Sequence, residues 1–208
     1  MKKIMFNDKY GLTKSVLEGR KTQTRRILNP PMLFERLKTF EGYTKEAISD
    51  WKKSCTERLY QAEGEELKRM LDYALSHSTY KVGEKVAIAQ SYETITHKAD
   101  WVKTLLRKDK AGWKNKMFVS ADAMPNHIRI NKVRLERLQD ISEEDCLAEG
   151  IGGFFGFDQP RFFNCFDDDP YIYDTAKEAY AVLIEKLYGK HIWASNPYVF
   201  VYEFNLLS

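Results

Sequence analysis

Between Ile128 and Leu138 the chain alternates Ile, Ile, Val, Leu and Leu with charged or polar residues. A segment with that period can cover one face and wet the other only as a β-strand. The chain must therefore build a sheet with a covered face. Tyr198–Leu206 reads as a second long strand, Val86–Ala89 and Tyr92–Ile95 as shorter ones, and Ile4–Phe6 as the first. Elsewhere apolar residues return at i, i+3 and i+4, the helical rhythm. This holds for Leu12, Val16 and Leu17 within Tyr10–Glu18, and for Ala176, Ala179, Tyr180, Leu183 and Leu187 within Thr175–Leu187. It also holds across 32–79, where Ala47, Ile48, Trp51, Leu59, Leu67, Met70, Leu71, Ala74 and Leu75 are set among Lys and Glu. Ser142-Glu143-Glu144-Asp145 reads as a capping box opening a short helix that Gly150 closes. Residues 152–173 read as a loop rich in Gly, Phe and Asp.

These segments predict an α+β protein with a single domain over residues 1–208 and a helical insertion at about 30–80. Asn29-Pro30-Pro31 and Gly83 mark the joints of that insertion, and its solvated helices are expected to be dispensable to the barrel. Charged residues make up 30% and hydrophobic ones 43%, as in an ordinary water-soluble globule. No apolar run has the length of a membrane helix, and Met1–Asp8 has cations without the apolar stretch of a secretory signal. Cys55, Cys146 and Cys165 are odd in number and widely spaced, so a disulfide framework is not expected and a reducing cytoplasm is.

The net charge is only +3, but it is unevenly spread. Residues 1–28 hold eight cations against two carboxylates and residues 81–140 thirteen against seven, whereas residues 141–208 hold four against twelve. If the two basic blocks meet they make one face suited to a polyanion. If the acidic third folds over them, they are neutralised.

The densest cationic stretch is Gly19-Arg20-Lys21-Thr22-Gln23-Thr24-Arg25-Arg26. Gly19 suits the left-handed position that stops a helix, after which Lys21, Arg25 and Arg26 crowd together. Such a cluster resists burial unless an anion sits in it; otherwise it is a solvated basic turn. In a regular strand residues 21 and 24 would point to opposite faces, so a site using both needs a turn or bulge here.

Gly19-x-Lys21-x-x-x-x-Arg26 resembles the GxKxxxxR motif of the ASCH family, small domains built on a PUA-like, partly open β-barrel with flanking helices. Gly83-Glu84-Lys85-Val86 is similar to the family's Gly-Asp/Glu strand opening. Val133–Ile141, then Ser142–Gly150, resembles its second half, and Asn196-Pro197-Tyr198-Val199-Phe200-Val201 resembles its closing strand in phage-type members. Ala87, Ala89 and Gln90 stand where phage-type relatives commonly carry Trp, Arg and Glu, so any role of that Arg–Glu pair does not transfer. The resemblance implies a nucleobase, nucleotide or RNA ligand in a cleft built on Gly19, Arg20, Lys21, Arg25 and Arg26, with no cofactor. One relative type removes the acetyl group of N4-acetylcytidine, which would make Lys21 the base, Thr24 the nucleophile and Glu149 the acid. A structural staple joining Lys21, Thr24 and Glu149 is the alternative to that chemistry. A phage-type accessory protein whose insertion recruits a host partner is a weaker reading.

Other candidates carry less. Phe154, Phe155, Phe157, Phe162, Phe163 and Phe166 offer faces for unstacked bases, or equally a collapsed loop. Asp167-Asp168-Asp169 lacks the spacing of a cation loop and reads as a solvated acidic turn. His77, His97, His127 and His191 are scattered, with no Cys–His spacing for zinc, so no metal site is expected. Ser15, Ser54 and Ser91 have no nucleophile-elbow context.

Overall fold

The computed structural model describes residues 1–33, 44–96, 111–155, 160–167 and 169–207, with the backbone alone at 96, 154–155 and 160–161. The alternating run becomes β4 (His127–Arg137) and the closing apolar run β7 (Tyr198–Leu207). These two pair antiparallel along their length and form the middle of a five-stranded mixed sheet. β3 (Lys85–Ile88) pairs antiparallel with β4, and β1 (Lys3–Ile4) lies parallel to β3 at one edge. β2 (Gln23–Ile27) pairs antiparallel with β7 at the other edge, giving the order β1–β3–β4–β7–β2. Among the described residues no pairing joins β1 to β2, so the sheet is not a closed barrel.

A bulge keeps one face of β4 apolar. Ile128 and Ile130 fall on even positions and Val133 and Leu135 on odd ones, which a regular strand would send to opposite faces. The register shifts between Ile130, opposite Phe204, and Lys132, opposite Glu203. Asn131 is thus the extra residue, and Val133 and Leu135 stand across from Tyr202 and Phe200, on the face of Phe204.

The helices are α1 (Leu12–Leu17), α2 (Lys45–Gln61), α3 (Gly64–Ser76), α4 (Tyr92–Thr96), α5 (Glu143–Ala148), α6 (Ala176–Tyr188) and α7 (Ile192–Ser195). The reading of Tyr92–Ile95 as a strand is corrected by α4. Ser91 starts that turn by accepting from the Thr94 N–H at 3.2 Å, and Tyr92 and Ile95, three apart, pack on Ala87, Ala89, Val119 and Met124. The loop reading of 152–173 is also corrected. β5 (Gly152–Phe155) and β6 (Pro160–Asn164) form an antiparallel ribbon, extended by a Phe163–Tyr173 bridge. α6 opens with a full capping box between Thr175 and Glu178. Ser142 caps α5 from one side, accepting from the Asp145 N–H at 3.1 Å, while the Asp145 carboxylate is drawn to Gln23, Arg25 and Arg134.

The helical segment between β2 and β3 is not peripheral. Leu59 of α2 and Ala74 of α3 are fully buried in the same core as Ile4, Val86, Ile130 and Tyr202. Tyr60 packs on Tyr198 at 6.2 Å and Tyr80 meets Tyr202 edge-on at 5.2 Å between ring centroids. The stretch 34–43 of the expected insertion lies outside the described residues. α6 adds Ala179, Tyr180, Leu183 and Ile184 to the same core. No helix among the described residues is long and apolar enough to cross a membrane.

Candidate ligand cavity

The cationic stretch is bent before it becomes a strand. α1 ends at Glu18, and Gly19 takes φ 75°, the left-handed position a side chain disfavours. The Ser15 carbonyl then accepts from both the Arg20 and Lys21 N–H groups, at 2.9 and 3.0 Å. Thr22 donates to the carbonyl of Ala148 at 2.8 Å and accepts from Phe204 at 2.8 Å, which fixes this turn between α5 and β7. Lys21 therefore precedes the alternation of β2 and extends to the C-terminal end of α5. Gly150, at φ 99°, leaves the room it needs: a Cβ there would meet the Lys21 Cβ at 3.4 Å.

Lys21 is 2% exposed and donates to the Glu149 carboxylate at 2.5 Å and to the Glu149 carbonyl at 2.6 Å. Arg25 is equally buried and holds four partners: Glu149 at 3.1 Å, Asp145 at 2.7 Å, Glu136 at 2.6 Å and Gln23 at 3.3 Å. Arg134 ties Glu136, Asp145 and Glu203 into the same network. Lys21, Arg25 and Glu149 are taken out of water here, so they are held only while each is paired, whereas Glu136, Asp145, Arg134 and Glu203 keep part of their surface in water. Burial pushes the Lys21 amine below its ordinary value; Glu149 opposes that shift, and Arg26 and Arg25 add smaller lowering contributions. Burial thus leads, ahead of the neighbouring arginines. Burial also works against the ionised Asp145, but hydrogen bonds from Gln23 and Arg25 and the charges of Arg25 and Arg134 hold its carboxyl below 3.8.

These residues face a cavity of about 420 Å³. Its walls bring together Lys21, Thr24, Arg25, Arg26 and Glu149, five of the residues singled out in the sequence. Met5–Asp8, the segment after β1, and Leu12 add a second wall; Tyr180, Leu183, Ile184, Leu187 and Tyr188 of α6 add a third. Because β2 is an edge strand, Thr24 and Arg26 reach the space from one face and Arg25 from the other. Arg26 donates to the Met5 carbonyl at 2.5 Å and to the Tyr188 hydroxyl at 3.5 Å, and lies over the Phe6 ring at 5.9 Å. It has no carboxylate partner among the described residues.

Gly19 and Arg20 are not on these walls. Arg20 is exposed, pairs with Glu18 and Asp167, and lines a separate open cleft beside Gly152, Gly153 and Asn164. Gly19 shapes the turn. Phe162, Phe163 and Phe166 are not on these walls either: Phe163 joins the core, and Phe166 packs between Tyr10, at 5.2 Å, and Lys186, at 4.7 Å. Phe157, His97 and Asp168 lie outside the described residues. Asp167 pairs with Lys14 and Arg20, and Asp169 with Lys186.

Lys116 and Tyr180 are among the wall residues that the sequence did not single out as site residues. Lys116 pairs with Asp8 at 2.7 Å and donates to the Phe6 carbonyl; in sequence it is one cation of thirteen in its block, with nothing to mark it. Tyr180 reads there as an apolar helix position. It is 1% exposed, and its hydroxyl is a buried polar atom without a hydrogen-bond partner among the described residues. Such a group costs about 1–3 kcal/mol. A tyrosine on the inner face of an amphipathic helix was the signal, since its hydroxyl must be answered by something. Comparison of the chain with models of protein families, with curated proteins and with solved structures finds no match.

Proposed function

We propose that the cavity binds a nucleobase, nucleoside or nucleotide, and that the chain is a PUA-like ASCH domain. The observation that carries this reading is the single space shared by Lys21, Thr24, Arg25, Arg26 and Glu149, walled on other sides by Phe6 and Tyr188. A space of about 420 Å³ suits one nucleotide. Phe6 and Tyr188 offer flat apolar contact and Arg26 a cation that no carboxylate answers among the described residues. The barrel reading is supported by curvature: Met5–Asp8 and Thr24–Arg26 come from opposite edges of the sheet yet border one space. Calorimetric titration with nucleosides, nucleoside monophosphates and a single-stranded RNA tests this. Saturable binding of the small ligands, with that of the monophosphates weakened in Arg26→Ala at unchanged melting temperature, is the expected result. Binding of inorganic phosphate alone with the same affinity would overturn it.

A second reading is favoured by the 2.5 Å contact between Lys21 and Glu149 beside Thr24. Transfer of the Lys21 proton to Glu149 leaves a neutral amine and a carboxylic acid. The amine takes the Thr24 hydroxyl proton as its oxygen attacks an amide carbonyl, and Glu149 protonates the departing amine. Water then cleaves the acyl-threonine ester, releasing the acid. Incubation with N4-acetylcytidine, followed by chromatography, is expected to yield cytidine and acetate with the wild type and neither with Thr24→Val. Absent turnover with retained binding would leave a binding module.

A further inference from the structure

The cavity is graded from inside to outside. Its inner end is made by Lys21, Thr24, Glu149 and Tyr180, all nearly fully buried, whereas Met5 at 36% and Tyr188 at 40% exposure stand at the mouth, where they hold the Arg26 side chain. Lys21 spends two of its N–H groups on Glu149, and an ammonium has three. The Tyr180 hydroxyl lies within electrostatic reach of Glu149, Arg25 and Tyr188, all of them wall residues, yet none of them hydrogen-bonds it. Buried polar groups are answered by protein, water or ligand, and here no described residue answers.

We propose that the Tyr180 hydroxyl reads an acceptor atom at the inner end of the ligand, whose anionic group sits on Arg26 at the mouth, so that the cavity selects nucleoside monophosphates over bare nucleosides. This rests on the nucleotide reading above and adds the orientation and charge of the occupant. A base carbonyl or ring nitrogen reaches Tyr180 and the third Lys21 proton. The sugar and base lie along Phe6, Leu183 and Ile184, and the phosphate meets the guanidinium. The reverse orientation would bring a dianion against Glu149, which repels it.

The test is a titration of the common ribonucleoside 5′-monophosphates and their nucleosides into wild type, Tyr180→Phe and Arg26→Ala. Tyr180→Phe is expected to weaken the preferred monophosphate and its nucleoside alike, about three- to tenfold, the worth of one hydrogen bond. Arg26→Ala should weaken the monophosphate alone, removing the preference for it. Because Tyr180→Phe deletes only an unanswered hydroxyl, its melting temperature should equal or exceed that of the wild type. Full affinity in Tyr180→Phe, or a melting temperature lowered by several degrees, would overturn the role of Tyr180 while leaving nucleotide binding intact. Equal wild-type affinity for nucleoside and monophosphate would overturn the role of Arg26. Failure of every probe to bind the wild type would overturn the nucleotide reading itself, and this inference with it.

Discussion

Lys21 and Glu149 form the pair on which most turns. In the sequence, loss of Lys21 is expected to harm binding more than stability; burial of the pair changes that expectation. Lys21→Ala strands a carboxylate at 4% exposure beside Arg25, and removing one partner of a buried pair costs about 3–5 kcal/mol. Urea unfolding of Lys21→Ala, Glu149→Gln and the double variant should give single losses that sum to well above the loss in the double. Additive losses would show that the two residues do not act as a pair. A volume-matched Lys21→Met, Glu149→Leu protein is expected to regain stability but not ligand affinity. Asp145 sets a pH dependence with a definite sign. Its folded-state value lies below 3.8, so its contribution is present above 3.8 and is lost as the pH falls through the lower folded value. Melting temperatures of the wild type should therefore drop as the pH falls from the ordinary carboxyl value towards the lower folded one. Asp145→Asn should start lower at neutral pH and fall less steeply; parallel curves would refute the assignment.

At the scale of elements, α2 and α3 decide whether the segment between β2 and β3 is an ornament. Their outer faces carry the Lys and Glu that suggested dispensable helices, but Leu59 is 1% and Ala74 0% exposed within the common core. Leu59→Ala is expected to cost about 2–5 kcal/mol by cavity formation. Replacing residues 44–79 with a linker should give a chain that melts without cooperativity. A cooperative transition in that shortened protein, read by calorimetry, would restore the peripheral view. The bulge in β4 was missed, because the run was read as one unbroken alternation, although Ile128 and Ile130 on even positions and Val133 and Leu135 on odd ones can share a face only if one residue between them is extra. The helix at Tyr92–Thr96 was missed too: Tyr92 and Ile95, three apart, fit the helical period, but a four-residue run of aromatic and β-branched residues is too short for periodicity to decide.

At the scale of the molecule, part of the uneven charge is neutralised among the described residues. Asp145, Glu149, Asp167 and Glu203 of the acidic third meet Lys14, Arg20, Lys21, Arg25 and Arg134 of the basic blocks. Of the cations on the cavity walls, Lys21, Arg25 and Lys116 are paired, and Arg26 has no carboxylate partner among the described residues. Binding to a single-stranded RNA, read by fluorescence polarisation across a salt series, should accordingly show a shallow logarithmic slope of magnitude about 1, as for one or two phosphate contacts. A slope of about 4 or more would mean that a separate basic face engages the backbone.

What the sequence determined by itself was local. Alternation made β4, an apolar run made β7, the i, i+3, i+4 rhythm made α2, α3 and α6, and Gly19 closed α1, because these depend on a residue and its near neighbours. It also brought Lys21, Thr24, Arg25 and Arg26 within six positions. Only the tertiary structure decided that Glu149, 128 residues from Lys21, supplies its counter-charge, that Arg20 turns away, and that Tyr180 is left unanswered. Those outcomes follow from which surfaces are removed from water together. A buried charge or hydroxyl takes its partner from whatever the packed sheet and helices bring near it, and no short-range pattern encodes that choice.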